Sequence, residues 1–452
     1  MWNLSTSIIV VAFISRIIPG LLATTISFNS INFEEDLSLN FEEPMDICNS
    51  LIHEYVNLDD MGLKVVRDNF ISSNTLKSIN LEANQIVNIS LNAFESVPSL
   101  FCLNIRWNNL KNLFDIFLPS FNHTVLTKLN LARTAFKNVL DDFKDLDLLV
   151  FRKEIQISSR GLLPSLTHLD ISDNNLVEIP KYFESSFPRL THLYLSDNRL
   201  SSSSFHHIPA TTQYIYLERN LDNIEFTTFP SGINGLILNN NYLYWNDAPP
   251  VDLYPNLRVL SIRNCNDIVN VIQSLEKRKL FDLDISANNL DYIDSELFNN
   301  ATSLQRFSLD RNCLQSLQFL TPLSSLKDLS IAYNKLIYIT ADYFSNLKLL
   351  TTLNLRGNNI VLFDKDAFSN LKMLQKLDLA ENRLIKVPES WMYNLNELYY
   401  LNLKSNQFST IDNMFIHSRS KLNSLYLENN NFTLIEMDSL MRLPSNVEVY
   451  LS

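Results

Sequence analysis

The 452-residue chain is 46% hydrophobic and carries a formal net charge of -12 at pH 7. It therefore has the material for a large buried core, and its acidic balance disfavours nucleic acid and anionic membrane as partners. Only 6 glycines are present, which argues against Gly-rich phosphate loops and against many positive-φ turns; asparagine, the other residue that tolerates left-handed backbone, is abundant instead.

At the amino terminus, residues 8–14 (IIVVAFI) form an apolar run too short to span a bilayer, with small-residue sites following around Ala23. Residues 1–23 read as a signal peptide, although no Lys or Arg precedes the run and Arg16 interrupts it. The rival is a signal anchor over residues 8–23 in which Arg16 snorkels. Residues 24–51 form an acidic pre-repeat segment containing Glu34, Glu35, Asp36, Glu42 and Glu43, and ending near Cys48. No later apolar stretch approaches the length of about 18 residues that a membrane helix needs.

From residue 52 onward one frame recurs. Leu350, Leu353, Leu355, Asn358 and Ile360 form L-x-x-L-x-L-x-x-N-x-I, and the frame returns at Leu374, Leu377, Leu379, Asn382 and Leu384. Two more copies centre on Asn406 and Asn430, so the asparagines at 358, 382, 406 and 430 keep one period. Earlier copies place Asn84, Asn108, Asn174, Asn198, Asn220, Asn241, Asn288, Asn312 and Asn334 in the same slot. Thr134 and Cys265 occupy the slot in two further copies, Met61 in a degenerate first one, and Val449 with Leu451 ends the chain on a partial unit.

These residues resemble the leucine-rich-repeat family in its long extracellular animal subtype, and the resemblance covers residues 52–452. It is similar in particular to insect secreted leucine-rich immune proteins and to Toll-like and adhesion receptor ectodomains. The resemblance implies an α/β-type leucine-rich-repeat solenoid, a curved right-handed coil with a parallel concave sheet and an irregular or short-helical convex side. The physics agrees. Leu353 and Leu355 alternate with polar residues, so a short strand turns one face into the core. A single repeat cannot bury that face alone, so neighbours must stack. The slot asparagine is expected to bond backbone groups where the chain leaves the strand, copy after copy.

The pattern departs from regularity between Thr134 and Asn174, where residues 136–164 are an insertion with charged Asp141, Asp142, Lys144 and Asp145 at its centre: a decayed repeat or a protruding loop. The segment beyond Asn220, with Asp222 at an expected leucine position and Pro249-Pro250 further on, is expected to be irregular. Secreted relatives close both solenoid ends with cysteine-rich caps. Here there are four cysteines, with no clustered N-cap pair and no C-terminal cysteine cap. Cys265 reads as a buried thiol in the ladder slot, and Cys313 is too far away to reach it. Cys48–Cys102 is the remaining intrachain bridge; otherwise Cys48 links two chains. Four sequons lie beyond the signal peptide, Asn88, Asn122, Asn300 and Asn431, and are expected to be glycosylated if the chain is exported.

No constellation for catalysis is present: there is no HExxH, GxSxG, P-loop or CxxC pair. No cofactor or metal is called for, and the chain reads as a non-enzyme. Two candidate surfaces remain. His168 and His192 hold the same position in consecutive repeats and are expected side by side on the concave face. They read either as a metal or pH-sensing pair or as two polar surface residues. Tyr194, Tyr214, Tyr216 and Ile237 continue that row of outward positions, with Tyr242, Tyr244 and Trp245 at one rim; Tyr399, Tyr400 and Tyr426 form a second group. Aromatic residues on a rigid concave sheet are favoured anchors. The sequence thus points to an extracellular protein-recognition scaffold, with immune recognition or cell–cell adhesion implied by the resemblance. A receptor ectodomain fragment and a secreted enzyme inhibitor are the alternatives. The partner is expected to be a protein ligand or receptor, with homo- or heterodimerisation open, and a membrane enters only through a signal anchor or a missing C-terminal segment.

Overall fold

The computed structural model describes residue 48, residues 54–110, 121, 123–134, 163–220, 223–244, 252–416 and 420–451. The signal peptide, most of the acidic segment, nearly all of the insertion, Asn122, Trp245 and Pro249-Pro250 lie outside the described residues. The chain divides into two compact units, one over Leu39–Glu276 and one built on Lys277–Ser452.

Each unit is a stack of three-residue parallel strands. In the first, the strands Ser78–Asn80, Cys102–Asn104, Lys128–Asn130, His168–Asp170, His192–Tyr194, Tyr214–Tyr216, Gly235–Ile237 and Val259–Ser261 follow Tyr55–Asn57. In the second, Asp282–Asp284 leads through Arg306–Ser308, Asp328–Ser330, Thr352–Asn354, Lys376–Asp378, Tyr400–Asn402 and Ser424–Tyr426 to Glu448–Tyr450. Every pairing in these stacks keeps the repeat register, as in Leu329↔Leu353 and Leu353↔Leu377. The strands on either side of the insertion pair directly, Lys128 with His168 and Leu129 with Leu169.

The central strand residue points inward, and Leu169, Leu193, Leu353 and Leu377 are completely buried. Each contributes about 2–3 kcal/mol by leaving water. Behind the sheet the chain runs mostly through turns, with short helices at Phe183–Ser186, Ile268–Ser274 and Met437–Met441. Aromatic rings fill this back layer, where Phe363, Phe368 and Trp391 meet edge to face at 5.0–5.9 Å. Among the described residues no helix is long and apolar enough to cross a membrane.

The slot residue stitches successive repeats. Asn358 Nδ2 donates to Ile331 O and Leu355 O at 2.9 and 3.0 Å, while its Oδ1 accepts from Leu336 N at 3.1 Å. Asn84, Asn108, Asn174, Asn198, Asn220, Asn241, Asn288, Asn312, Asn334, Asn382, Asn406 and Asn430 donate in the same way, each to a backbone carbonyl. The substitutes do part of this work. Thr134 Oγ1 donates to Leu131 O at 2.7 Å, and the Cys265 thiol lies 3.3 Å from Leu238 O. Met61 does none: its side chain is 64% exposed, and its own N–H donates to Asn84 Oδ1.

The left-handed residue of each repeat is not the slot asparagine but the one before it. Ala83, Trp107, Arg133, Asp173, Asp197, Arg219, Asn240, Ala287, Arg311, Tyr333, Glu381, Ser405 and Asn429 all have φ between 49° and 59° there. This corrects the expectation that scarce glycine implies few such turns: the repeat imposes them, and glycine fills the position at Gly357. An added Cβ at Gly357 would land on the Tyr333 ring, which lies over its backbone. Left-handed backbone costs an added Cβ about 1–2 kcal/mol wherever it occurs, as at Ala83 and Ala287, and the ring adds about 1–2 kcal/mol more, so Gly357→Ala is expected to cost about 2–4 kcal/mol. Combining it with Tyr333→Ala in a double-mutant cycle should return the ring's share, about half of that loss; an additive cycle would mean that the ring contributes nothing.

Candidate functional site

On the outer side of the sheet in the Leu39–Glu276 unit, side chains of equal register stack across strands. The His168 and His192 rings lie 4.1 Å apart and 7° from parallel, and Tyr214 continues the stack onto His192 at 4.6 Å. The next strand begins with Gly235, and the Tyr214 ring occupies the space a side chain would need there. Threonines hold the imidazoles. Thr167 Oγ1 lies 3.1 Å from Thr127 O and 2.9 Å from His168 Nδ1, and Thr191 repeats both contacts with Thr167 O and His192 Nδ1. Each hydroxyl has one proton; once it is donated to the carbonyl, the imidazole must carry its own proton on Nδ1 and donate it to Oγ1. Parallel rings in this tautomer send their Nε2 lone pairs side by side rather than toward one point, which does not suit chelation. Among the described residues no three His, Cys, Asp or Glu side chains gather for a metal.

Burial pushes His168 down to about 3, helped by the neighbouring charges of His192 and Lys128. Asp170, beside it in the strand, is pushed up to about 6 by burial, although bonds from Ser172 and the charge of Arg106 pull the other way. The two effects oppose each other. The stability that neutral His168 contributes is complete above its ordinary 6.5 and drains away as pH falls toward 3. That of protonated Asp170 is complete below its ordinary 3.8 and is lost as pH rises through 6. Taking His168→Gln from about pH 7.5 to 5 should therefore cost about 1–2 kcal/mol less stability than the parent loses. Equal losses in denaturant midpoints would show that the imidazole is not desolvated.

The second row differs from the expected open display. Tyr194 and Tyr216 stack at 4.3 Å, but Tyr194, Tyr216 and Ile237 are only 0%, 7% and 3% exposed. They share an apolar cluster with Cys102, against which Cys48 and Tyr214 pack. Outward direction in a strand does not guarantee access when rings stack and a disulfide packs against them. Of the row, His168, His192 and Tyr214 remain half-buried. Tyr242 and Tyr244 belong to a separate two-stranded sheet with Asn223–Glu225, beyond the turn that follows the slot asparagine; Trp245 lies outside the described residues. In the other unit Tyr400 and Tyr426 are joined by Tyr450, Tyr426 and Tyr450 stacking at 4.2 Å, while Tyr399 stays exposed. Tyr450 was legible as the residue one period after Tyr426.

The alternative of a chain-linking Cys48 is replaced by an intrachain disulfide to Cys102 with a Cα–Cα distance of 5.6 Å. Cys102 occupies an outward strand position, so the bridge sits on this same face. Cys265 and Cys313 form no disulfide. The sequon residues Asn88, Asn300 and Asn431 are exposed; Asn88 lies on the short strand Asn88–Ile89, away from the main sheet.

A second ladder escaped the sequence reading. Asn80, Asn104, Asn130, Asp170, Asp284, Asn354, Asp378 and Asn402 each accept a backbone N–H two residues on, at 2.7–3.1 Å. Its signal is the Asn or Asp between the two strand leucines. In other repeats Tyr194, Tyr216, Ile237, Ser261, Ser308, Ser330, Tyr426 and Tyr450 hold that position instead.

In-register parallel strands, a polar slot stitching each turn to the next and a turn-built back layer define a repeat solenoid in each unit. Comparison agrees: the Leucine rich repeat model matches residues 164–221, 278–336, 324–384 and 372–432, and the chain is a leucine-rich-repeat protein. No curated protein matches it. Among solved structures, that of the Drosophila Toll–Spatzle complex is similar at 18% identity and a TM-score of 0.62, covering 88% of this chain and 53% of that one. The TLR13–ssRNA13 complex has 18% identity and a TM-score of 0.52, covering 81% of this chain and 62% of that one. The functional domain of InlJ from Listeria monocytogenes has 22% identity and a TM-score of 0.51, covering 83% and 73%. The chain thus spans less than two thirds of the TLR13 and Toll chains, and likeness at these identities concerns the fold.

Proposed function

We propose that this chain is an extracellular, non-enzymatic recognition scaffold that binds a protein partner with the outer face of its strand stacks. The observation that carries the reading is the in-register stacking of outward side chains, typified by His168, His192 and Tyr214 at 4.1 and 4.6 Å. Side chains locked by their neighbours lose little entropy on binding, so a partner meets a preformed surface. The signal-like amino terminus and the exposed sequon residues support export. The acidic charge favours a protein over a polyanion, and the Toll–Spatzle relative supports an innate-immune setting over adhesion. Membrane anchoring, or service as part of a receptor, would place the same face outside the cell.

The test is expression in secretory cells, glycosidase treatment, and affinity capture of partners by the parent, by a His192→Ala/Tyr214→Ala variant and by a Tyr393→Ala control. Tyr393 is 76% exposed and lies off the strand stack. Capture lost with the first variant and kept with the second is the expected result. Retention by both, or no secretion, defeats the reading.

A further inference from the structure

The position before each slot residue is left-handed throughout, and in the Leu39–Glu276 unit one large aromatic side chain occupies it: Trp107, at φ 57°. Left-handed backbone disfavours side chains with a Cβ, by roughly 1–2 kcal/mol. Packing does not repay that cost, because Trp107 is 45% exposed. One repeat earlier Ala83 serves at φ 54°, so the fold does not need the indole. Its counterpart in the other unit, Tyr333, covers the Gly357 backbone and is explained by that contact.

Two guanidinium groups attend the ring. Arg106 Cζ lies 5.2 Å and Arg133 Cζ 5.5 Å from the ring centroid. Arg133 also pairs with Asp173, and its side chain is still 54% exposed. Arg106 also acts on Asp170, whose carboxyl burial holds toward its neutral form. In a chain of net charge -12 two guanidinium groups are thus gathered on one exposed indole. Trp and Arg are the residues most enriched where binding energy concentrates, and a cation–π contact gains strength when a partner excludes water from it.

We propose that Trp107, with Arg106 and Arg133, is a docking point for an acidic segment of a protein partner in which an apolar or aromatic side chain neighbours a carboxylate. The apolar group lies on the indole and the carboxylate takes the guanidinium edges, where charge-assisted bonds are strong. Glu82, Asp173, Asp197 and Glu218 on the same succession of turns repel an extended polyanion. A discrete carboxylate needs only the arginines, which favours an acidic peptide over a nucleic-acid backbone. The inference rests on the recognition reading above and narrows it to one spot and one partner chemistry.

The probe is a soluble random glutamate–tyrosine copolymer, titrated against the full secreted chain, with polyglutamate and poly(U) as comparisons. The parent is expected to bind the copolymer at least about tenfold more tightly than Trp107→Ala, while Trp107→Phe stays within about threefold of the parent. Arg133→Gln should weaken binding and flatten its salt dependence. Circular dichroism checks that the variants fold, and the phenylalanine variant guards against a merely structural effect. Equal binding by Trp107→Ala overturns the proposal, as does equal affinity for polyglutamate or tighter binding of poly(U). Partner capture that depends on His192 and Tyr214 while ignoring Trp107 would leave the broader reading standing and remove only this one.

Discussion

Replacing Asn382 by leucine is expected to lower the stability of the Lys277–Ser452 unit by about 3–5 kcal/mol, one of the largest single-residue losses available in the chain. The side chain is 6% exposed and makes four backbone bonds, donating at 3.0 Å to Leu355 O, Leu379 O and Ala380 O and accepting from Ile360 N at 3.0 Å. Leucine is similar in size and leaves little cavity, so the loss isolates the polar term. The Ile360 N–H loses its acceptor, at about 1–3 kcal/mol, and three carbonyls from two repeats each lose one of two donors, at about 0.5–1.5 kcal/mol apiece, keeping Asn358 Nδ2 on Leu355 O, Asn406 Nδ2 on Leu379 O and Gly357 N on Ala380 O. The solenoid amplifies this, because the slot joins one repeat to the next and stability is close to a sum of such interfaces. Trp391, 1% exposed with its indole N–H donated to Met414 O at 2.9 Å, reports unfolding of the same unit by fluorescence. The chain supplies its own graded control: Asn382→Thr copies the slot as Thr134 fills it, keeping a donor and losing the amide's reach, and should cost roughly half as much. A denaturant midpoint nearly unmoved by leucine would mean that water replaces the amide, and the ladder would lose its structural role.

The ladder was legible because it is periodic: the slot residue, the inward leucines and the direction of each strand all follow from spacing. What the sequence could not give was the consequence of stacking. Alternation placed Tyr194, Tyr216 and Ile237 on the outer face correctly, but periodicity assigns a face and not the area left open on it. Rings touching across strands, and Cys48 packed against them, close over that row. The left-handed turns were hidden for a related reason. The repeat's backbone path sets φ before the slot, so residues as unlike as Arg133, Ala287 and Tyr333 accept the same conformation and no residue type signals it. Trp107 therefore reads as an ordinary surface tryptophan until its φ and its two arginines are seen together. The disulfide needed coordinates as well, since only the strand position of Cys102 puts it within reach of Cys48.

That disulfide carries the second large effect. Cys48 and Cys102 are 54 residues apart in sequence, and closing a loop of that length removes enough freedom from the unfolded chain to stabilise the Leu39–Glu276 unit by roughly 4 kcal/mol. Cys102 is completely buried and shares its cluster with Tyr194, Tyr216 and Ile237, so cutting the bridge removes packing as well as a covalent constraint. Cys48→Ala is the cleaner variant, because it leaves the strand Cys102–Asn104 intact. For a unit of this size the expected fall in Tm is roughly 10 °C. Reductant should reproduce it in the parent and do nothing to the variant. On a non-reducing gel the parent should run as a single chain whose mobility changes on reduction. A dimer that depends on Cys48 would show that the thiol prefers a second chain. Unchanged thermal stability would show that the amino-terminal side of the stack holds together without its bridge, and that the cluster around Tyr194 is closed by packing alone.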